Sequence, residues 1–340
     1  MTLRQQLTHN NHYIPQFYLK NWSQDGSRIF VYSLLVPDSR IPDWRPQKIK
    51  STAVWNDFYT RNEEKKEIDD FEKWFNREFE SPVKKVLDDL LKGQSLDKDK
   101  SKKLSRFIGA QYLRTPARLN DSMARWRKEM PQTFETVMQQ VSKKLEANPQ
   151  IINSHPQISE EAKLLPIKVS INKDTNEMKV DSLVGKGMYL FALKHLLTKT
   201  VRILGKHQWH VIHASEGVSF PTSDDPVICL NFNSEHDYDF KGGWGKKNGN
   251  IIMPISPTRL LITQIGSNMS SKQLDYSQRW SKFFRKIIIE HAHRYVYAIE
   301  PQKEMYAIRP RKVDAALFKE EKDMMAGWHE EQMEAEAQLR

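Results

Sequence analysis

The residues best suited to chemistry near the N-terminus form one dense segment, residues 12–22. Its sequence is HYIPQFYLKNW, which sets a histidine and two amide side chains among aromatic residues beside a rigid proline. Such a mixture can form a polar pocket on an apolar floor, where His12 would act as a general acid or base near neutral pH. The same residues could instead close the hydrophobic core, with His12 hydrogen-bonded to the backbone.

A second segment, residues 220–227, combines two carboxylates with two hydroxyls. Its sequence FPTSDDPV places Asp224 and Asp225 directly before a proline, where a strand-like run meets a turn. Carboxylate oxygens at such a corner could bind Mg²⁺ or Mn²⁺, which prefer these ligands. The side chains could instead bond to their own backbone in an Asx or ST turn.

The spacing of apolar residues predicts the elements that position these segments. Phenylalanines at intervals of four from Phe71 to Phe79 predict a helical face, and Ser81-Pro82 is typical of the start of the next helix. Further helices are predicted at 101–113, 119–147 with a break near Pro131, 183–204, 275–291 and 313–339. Strand-like runs are 28–35, 167–171, 208–213, 218–230, 250–255, 260–265, 294–299 and 305–308.

This order of elements predicts an α+β protein. We expect a helical N-terminal half that packs on a mainly antiparallel sheet in the C-terminal half. The predicted regions are an aromatic-rich and helical part at 1–150, an α+β part at 151–312 and an acidic helix at 313–340, which could also form one continuous domain. Apolar residues of the last helix, among them Met324 and Trp328, could bind a second copy or a partner protein, or could pack on their own chain.

Four short motifs in this chain resemble one bacterial family. They are the segment 12–22, QYLRTP at 111–116, TSDDPV at 222–227 and AHRYVY at 292–297. Together they resemble the family named domain of unknown function 4238, and the resemblance extends over residues 12–299. Asp225 stands where the family pattern has asparagine, and Trp22 stands where it has phenylalanine. The resemblance therefore favours Asp224 over Asp225 as a site residue, and it implies positions without an activity.

Several polar residues stand inside aromatic or apolar stretches of the chain. The set consists of His12, Gln16, Glu80, Gln111, Arg114 and Asp224. Burial of such groups is unfavourable unless they pair, so their convergence on one pocket would form a site. There, Asp224 and Glu80 would hold Mg²⁺ or Mn²⁺, His12 would be the general acid or base, and Arg114 would stabilise phosphate charge. Alternatively, Arg114 would form a structural ion pair with Asp224 or Glu80.

Positive charge is concentrated in one part of the chain. The formal net charge is +10, and residues 98–128 hold ten basic and two acidic residues, whereas the tail from 317 to 340 holds three basic and seven acidic residues. A basic stretch of this kind can follow a nucleic-acid backbone. The predicted phosphate contacts are Lys102, Lys103, Arg106, Arg118 and Arg125. Two solvated helix faces would have the same composition.

Two further motifs suggest contacts with nucleic acid. Arg285 and His291 have the Arg-x₅-His spacing that resembles the ribonuclease motif of the HEPN superfamily, in which both side chains lie beside the scissile phosphate. The segment 241–250, KGGWGKKNGN, predicts a hairpin tip, and an exposed Trp244 there could stack on a base. The segment is not a Walker loop, because no Gly-Lys-Ser/Thr follows a strand.

Composition excludes several classes of protein. A single cysteine, Cys229, excludes a disulfide scaffold and any zinc site built from several cysteines. The first residues have no apolar core typical of a signal peptide, and no apolar run approaches 18 residues. We therefore predict a cytoplasmic protein outside the membrane.

These observations together predict a protein that binds nucleic acid and, if catalytic, hydrolyses phosphodiesters with a divalent metal. One alternative is a non-catalytic binding or regulatory module in which the same polar residues form a structural network. Another is a metal-independent ribonuclease that uses Arg285 and His291.

Overall fold

A computed structural model describes residues 9–63, 66–148, 165–171, 178–267 and 277–339. The strands are β1 Asn10–His12, β2 Arg28–Ser33, β3 Leu35–Val36, β4 Trp44–Lys48, β5 Val54–Asn56, β6 Arg61–Glu63, β7 Lys66–Ile68, β8 Ile167–Ile171, β9 Met178–Ser182, β10 His210–His213, β11 Thr222–Ser223, β12 Ile228–Ser234, β13 Asp237–Asp239, β14 Asn250–Ser256, β15 Arg259–Gln264, β16 Tyr295–Ala298 and β17 Lys312–Val313. The helices are α1 Gln16–Leu19, α2 Asp70–Phe75, α3 Ser81–Leu91, α4 Lys98–Leu113, α5 Pro116–Ala147, α6 Lys186–His195, α7 Gln278–His291, α8 Met305–Ile308 and α9 Ala315–Leu339.

The largest sheet separates two parts of the hydrophobic core. Its five strands are antiparallel and run in the order β10-β15-β14-β12-β13. Side chains alternate across a strand, so Ile251, Met253 and Ile255 of β14 face the large core, whereas Ile252 faces the smaller core that α7 covers. The apolar run of β14 is therefore explained by burial on both faces.

The mixed α+β class and the antiparallel sheet in the C-terminal half agree with expectation, but the N-terminal half is not purely helical. Strands β1 to β7 lie within the first 68 residues, and β2 and β4 form a four-stranded sheet with β11 and β16. The segment around Arg28–Ser33 therefore pairs across the chain with Tyr295–Ala298. Local pattern predicted the strand but could not show this distant partner.

Three predicted elements differ from the structure. Helix α5 continues through Pro131, because the proline is exposed and water can reach the carbonyl groups that lose a partner. Residues 305–308 form the short helix α8 instead of a strand, since a four-residue apolar run does not distinguish the two. The predicted helix 183–204 is divided into α6, a π-helical turn Leu196–Thr200 and a 3₁₀ turn Val201–Lys206.

A sharp corner between α4 and α5 positions two arginines. Helix α4 ends at Leu113, and Thr115 caps α5 by accepting a hydrogen bond from the Arg118 amide, with Pro116 at the first helical position. Arg114 lies before the break and Arg118 after it. The two side chains consequently point into different surroundings.

The C-terminal helix α9 packs on its own chain. The indole nitrogen of Trp55 donates to the Met325 carbonyl at 2.8 Å, and the Gln332 side chain accepts from the first amide of α6 at 2.8 Å. Association with a second molecule through this helix remains a prediction. Among the described residues, no helix is both long enough and apolar enough to cross a bilayer.

Candidate functional site

Three of the predicted catalytic residues meet at one polar cluster, here called the Arg114 centre, which consists of His12, Glu72, Glu80, Gln111 and Arg114. His12 ends β1 and pairs with Val54 of β5. Glu72 lies on α2, and Glu80 ends a π-helical turn, Asn76–Glu80, which separates α2 from α3. Turns of this type are rare and are often found at functional sites.

The side chain of Arg114 is held on three sides. Its Nη1 donates to Glu80 Oε1 at 2.7 Å, and its Nη2 donates to Gln111 Oε1 at 3.1 Å. The guanidinium lies 5.1 Å from the centroid of the Phe75 ring. Gln111 is fixed in turn, because its Nε2 donates to the Tyr13 carbonyl at 2.9 Å. Arg114, only 1% exposed, is therefore a fixed buried charge.

Burial shifts the pKa values of two groups in this centre in opposite directions. Burial raises the pKa of Glu72 to about 7, against the opposing attraction of Arg114. Burial lowers the pKa of His12 below its ordinary value, although backbone hydrogen bonds and Glu80 oppose the shift. Near neutral pH the carboxyl can hold a proton while the imidazole is neutral, so the centre contains one potential acid and one potential base.

The Arg114 centre also contains buried polar atoms that bond to nothing in the described part of the chain. They are Glu72 Oε2, His12 Nε2 and Arg114 Nε. Since His12 bonds to backbone groups of Ile49 and Lys50, its unpaired Nε2 carries the free lone pair of the neutral ring. Unsatisfied buried polar atoms are unfavourable in a structural network and useful in a site that receives a substrate.

Asp224 lies outside this cluster. It is 2% exposed, and its two oxygens accept the backbone amides of His293 at 2.9 Å and Arg294 at 2.7 Å. Burial raises its pKa, and these two amides act against the shift. Gln16 is exposed on α1. Within the described residues, no three His, Cys, Asp or Glu side chains are grouped so that they could hold a metal ion.

A second cluster, here called the Arg118 centre, surrounds the other arginine and consists of Tyr112, Arg118, Asp121, Asp225 and His291. Arg118 Nη2 donates to Asp225 Oδ2 at 2.7 Å and Nη1 to Asp121 Oδ2 at 3.1 Å, while the guanidinium lies 4.6 Å from the Tyr112 ring centroid. Burial lowers the pKa of His291. The neutral ring donates from Nδ1 to the Asp225 carbonyl at 3.0 Å and accepts at Nε2 from Arg118 at 3.1 Å.

These contacts place Arg285 and His291 in different surroundings. His291 is committed to Arg118 and Asp225. Arg285 instead lies 3.4 Å from Glu304. The two side chains of the Arg-x₅-His spacing therefore have separate partners.

Most of the predicted phosphate-binding residues have acidic neighbours. Lys103 Nζ lies 2.5 Å from Asp99 Oδ2, and Arg106 donates to Glu78 at 3.1 Å. Arg125 is 59% exposed, and its Nε lies 4.0 Å from Glu129, whereas Lys102 is exposed to solvent. The basic window is thus a surface of mixed charge and not an uninterrupted positive stripe.

An aromatic cavity of about 660 Å³ lies beside the Arg118 centre. Helices α4, α5 and α6 and the segment Gly243–Gly245 line it, with the aromatic walls Tyr112, Trp126, Tyr189, Phe191 and Trp244. Trp244, predicted to be exposed at a hairpin tip, is 9% exposed and is part of the core. The prediction of an exposed residue was wrong because turn composition does not show what packs on the turn.

The fold and these two centres define a mixed α+β protein with paired arginine–carboxylate clusters on either side of one helix corner. The chain belongs to the family described as a protein of unknown function, DUF4238, whose model matches residues 10–301. This match confirms the resemblance found in the sequence motifs. No curated protein and no solved structure matches the chain.

Proposed function

We propose that this chain is a phosphodiesterase that acts on nucleic acid through the Arg114 centre. One observation carries the proposal, namely that the pKa values of Glu72 and His12 are shifted in opposite directions in a cluster with a buried arginine. Pairs of titratable groups whose surroundings shift their pKa values in opposite directions are typical of acid and base roles in catalysis.

Each residue has a role in the proposed hydrolysis. His12 Nε2 accepts a proton from a water molecule as the water oxygen attacks phosphorus. The bond from phosphorus to the leaving oxygen breaks, and the protonated Glu72 donates its proton to that oxygen. Arg114, oriented by Glu80 and Gln111, stabilises the negative charge that develops on the phosphate.

The substrate class is proposed from the charge of the chain. A formal charge of +10 favours a polyanion, and the exposed Lys102 and Arg125 offer contacts to phosphate. The single buried cysteine suits a reducing compartment, so we place the activity in the cytoplasm. A divalent metal held by Asp224 and Glu80 remains a prediction, and the assay below includes it.

The test is cleavage of labelled single- and double-stranded DNA and RNA, with Mn²⁺ or with EDTA. Glu72→Gln and His12→Ala are compared with Glu78→Gln, a matched control on the neighbouring turn whose carboxylate pairs with Arg77 and Arg106. We expect turnover to fall at least about 100-fold in the first two variants and to stay unchanged in the control. Circular dichroism checks that each variant is folded.

Other results would overturn the proposal that catalysis takes place at the Arg114 centre. Turnover that needs Mn²⁺ and Asp224 but tolerates Glu72→Gln would place the chemistry at a metal site. Turnover in EDTA that is lost only in His291→Ala would favour the ribonuclease alternative. Binding that weakens with salt, without cleavage under any condition, would identify a non-catalytic binding module.

A further inference from the structure

We infer that the aromatic cavity beside the Arg118 centre binds one nucleotide unit, with the base inside and the phosphate at the mouth. This site is separate from the Arg114 centre. A mononucleotide contains no phosphodiester bond, so the inference can be tested whether or not the chain is a phosphodiesterase.

The size and walls of the cavity fit a flat ring. Its volume of about 660 Å³ lies in the range of small-molecule sites. The Tyr112 and Trp244 rings lie 5.6 Å apart between centroids at one wall, and Tyr189 and Phe191 come from α6. Aromatic side chains stack on any base through its π-face.

Two hydrogen-bond donors of the cavity lining indicate that the ring carries acceptors. Trp244 Nε1 and Arg118 Nε are buried and find no acceptor among the described residues. A purely apolar ligand such as an acyl chain would leave both donors unsatisfied, which is unfavourable. A nucleobase offers carbonyl oxygens and ring nitrogens, so its chemistry matches the donors that are left over.

The walls of the cavity are fixed before a ligand enters. The Trp244 carbonyl bonds to His207 Nε2 at 2.7 Å. Gly242, two residues earlier, packs so closely on the backbone of Cys229 that an added Cβ would lie 2.7 Å from it. Trp244 is thus anchored on both sides, and little ordering remains to oppose binding.

The charges at the mouth favour a single phosphate. Arg118 is already bonded to Asp225 and to Asp121, and Asp121 also lines the cavity. Arg125 is 59% exposed, and its Nε lies 4.0 Å from Glu129, too far for a close hydrogen bond. His195, exposed and on the lining, adds a second donor. Arg125 is therefore the cation available for the phosphate group.

The experiment measures tryptophan fluorescence and calorimetric binding with the four ribonucleoside monophosphates, adenosine, inorganic phosphate and a short single-stranded oligonucleotide. Arg125→Ala is compared with Arg127→Ala, an exposed arginine on the same helix that does not line the cavity. Ala192→Trp fills the cavity from α6. We expect saturable binding of at least one mononucleotide, weakened about tenfold by Arg125→Ala, unchanged in Arg127→Ala and lost in Ala192→Trp.

Comparison of ligands identifies the source of the nucleotide. Tighter, salt-dependent binding of the oligonucleotide would assign the cavity to a strand end or a flipped base, and binding of mononucleotide alone would assign it to a free nucleotide. Either result supports the inference. It is overturned if no nucleotide or oligonucleotide binds at about 1 mM, if inorganic phosphate binds as tightly as the nucleotides, or if a folded Ala192→Trp protein binds like the wild type.

Discussion

Arg114 and Arg118 lie four residues apart and have surroundings of the same composition. Each arginine has one aromatic face, two carboxylates and one histidine. Around Arg114 these are Phe75, Glu72, Glu80 and His12. Around Arg118 they are Tyr112, Asp121, Asp225 and His291. The two centres nevertheless differ in what they can do.

The second carboxylate makes the difference. Asp121 is 69% exposed, so water solvates its carboxylate. Arg118 therefore needs to neutralise only the buried carboxylate of Asp225. Glu72 is largely buried beside Glu80, and this burial raises its pKa to about 7, a shift that the attraction of Arg114 opposes. The histidines follow the same division, since both ring nitrogens of His291 are bonded whereas His12 Nε2 is unpaired. The Arg114 centre can therefore exchange protons, whereas the Arg118 centre forms a rigid wall beside the cavity.

The largest expected effect comes from removing each arginine in turn. Arg114→Met leaves the Glu80 carboxylate without its cation and removes the attraction of Arg114 for Glu72, and it should lower the free energy of unfolding by about 3–5 kcal/mol. Arg118→Met should lower it by about 1–3 kcal/mol, because Asp225 keeps the Thr115 hydroxyl and His291 can take up a proton. Urea unfolding measures both. Equal losses would show that the two centres are energetically alike.

Glu72→Gln should have an intermediate effect, and it should raise the free energy of unfolding instead of lowering it. The folded-state pKa of Glu72 lies above its unfolded value, so the contribution of this residue to stability is greatest below about pH 4.5 and is lost as pH rises towards 7. Glutamine cannot ionise, so the variant should be more stable than the wild type by about 1–3 kcal/mol at pH 8. Thermal unfolding at several pH values checks the result.

At pH 4 the wild type and the Glu72→Gln variant should have the same stability, because the glutamate is then protonated. Glu78→Gln serves as the control at each pH. A destabilisation of Glu72→Gln that grows as pH rises would show that the carboxylate is ionised and paired in the folded protein, which contradicts the proton-exchange role.

The smallest effect is expected for Asp121→Asn. An exposed ion pair with Arg118 contributes at most about 0–1 kcal/mol, so the unfolding curve should barely change between pH 5 and 8. A pH-dependent gain in stability like that of Glu72→Gln would remove the distinction between the two centres.

Sequence patterns predicted the fold class and part of the site. His12, Glu80 and Arg114 stood out as polar residues within aromatic stretches, and the structure brings all three together. Glu72 was missed because it adjoins the apolar stripe of α2 and looks like any charged helix residue. Asp224 was expected in the same pocket, but pairing of Thr222–Ser223 with β16 directs its carboxylate to two backbone amides. Such distant pairings leave no local signal.

The cavity could not have been predicted from the sequence. Its lining comes from the corner after α4, from α5, from α6 and from the segment 243–245, which lie more than 100 residues apart at the extremes. Among the residues singled out from the sequence, Arg118, Arg125 and Trp244 belong to it. The charged residues were visible as a cluster, whereas the apolar walls depend on how helices pack.

The π-helical turn Asn76–Glu80 determines whether Glu72 and Glu80 share one face of the helix. A π-turn adds one residue to a helix without adding a turn, so the eight positions from Glu72 to Glu80 have the phase of seven, which places both on one face. A regular α-helix over the same residues would instead rotate Glu80 by about 100° away from Glu72. Among homologues, a one-residue deletion between these positions would therefore replace the π-turn with a regular helix and keep both acids on one face.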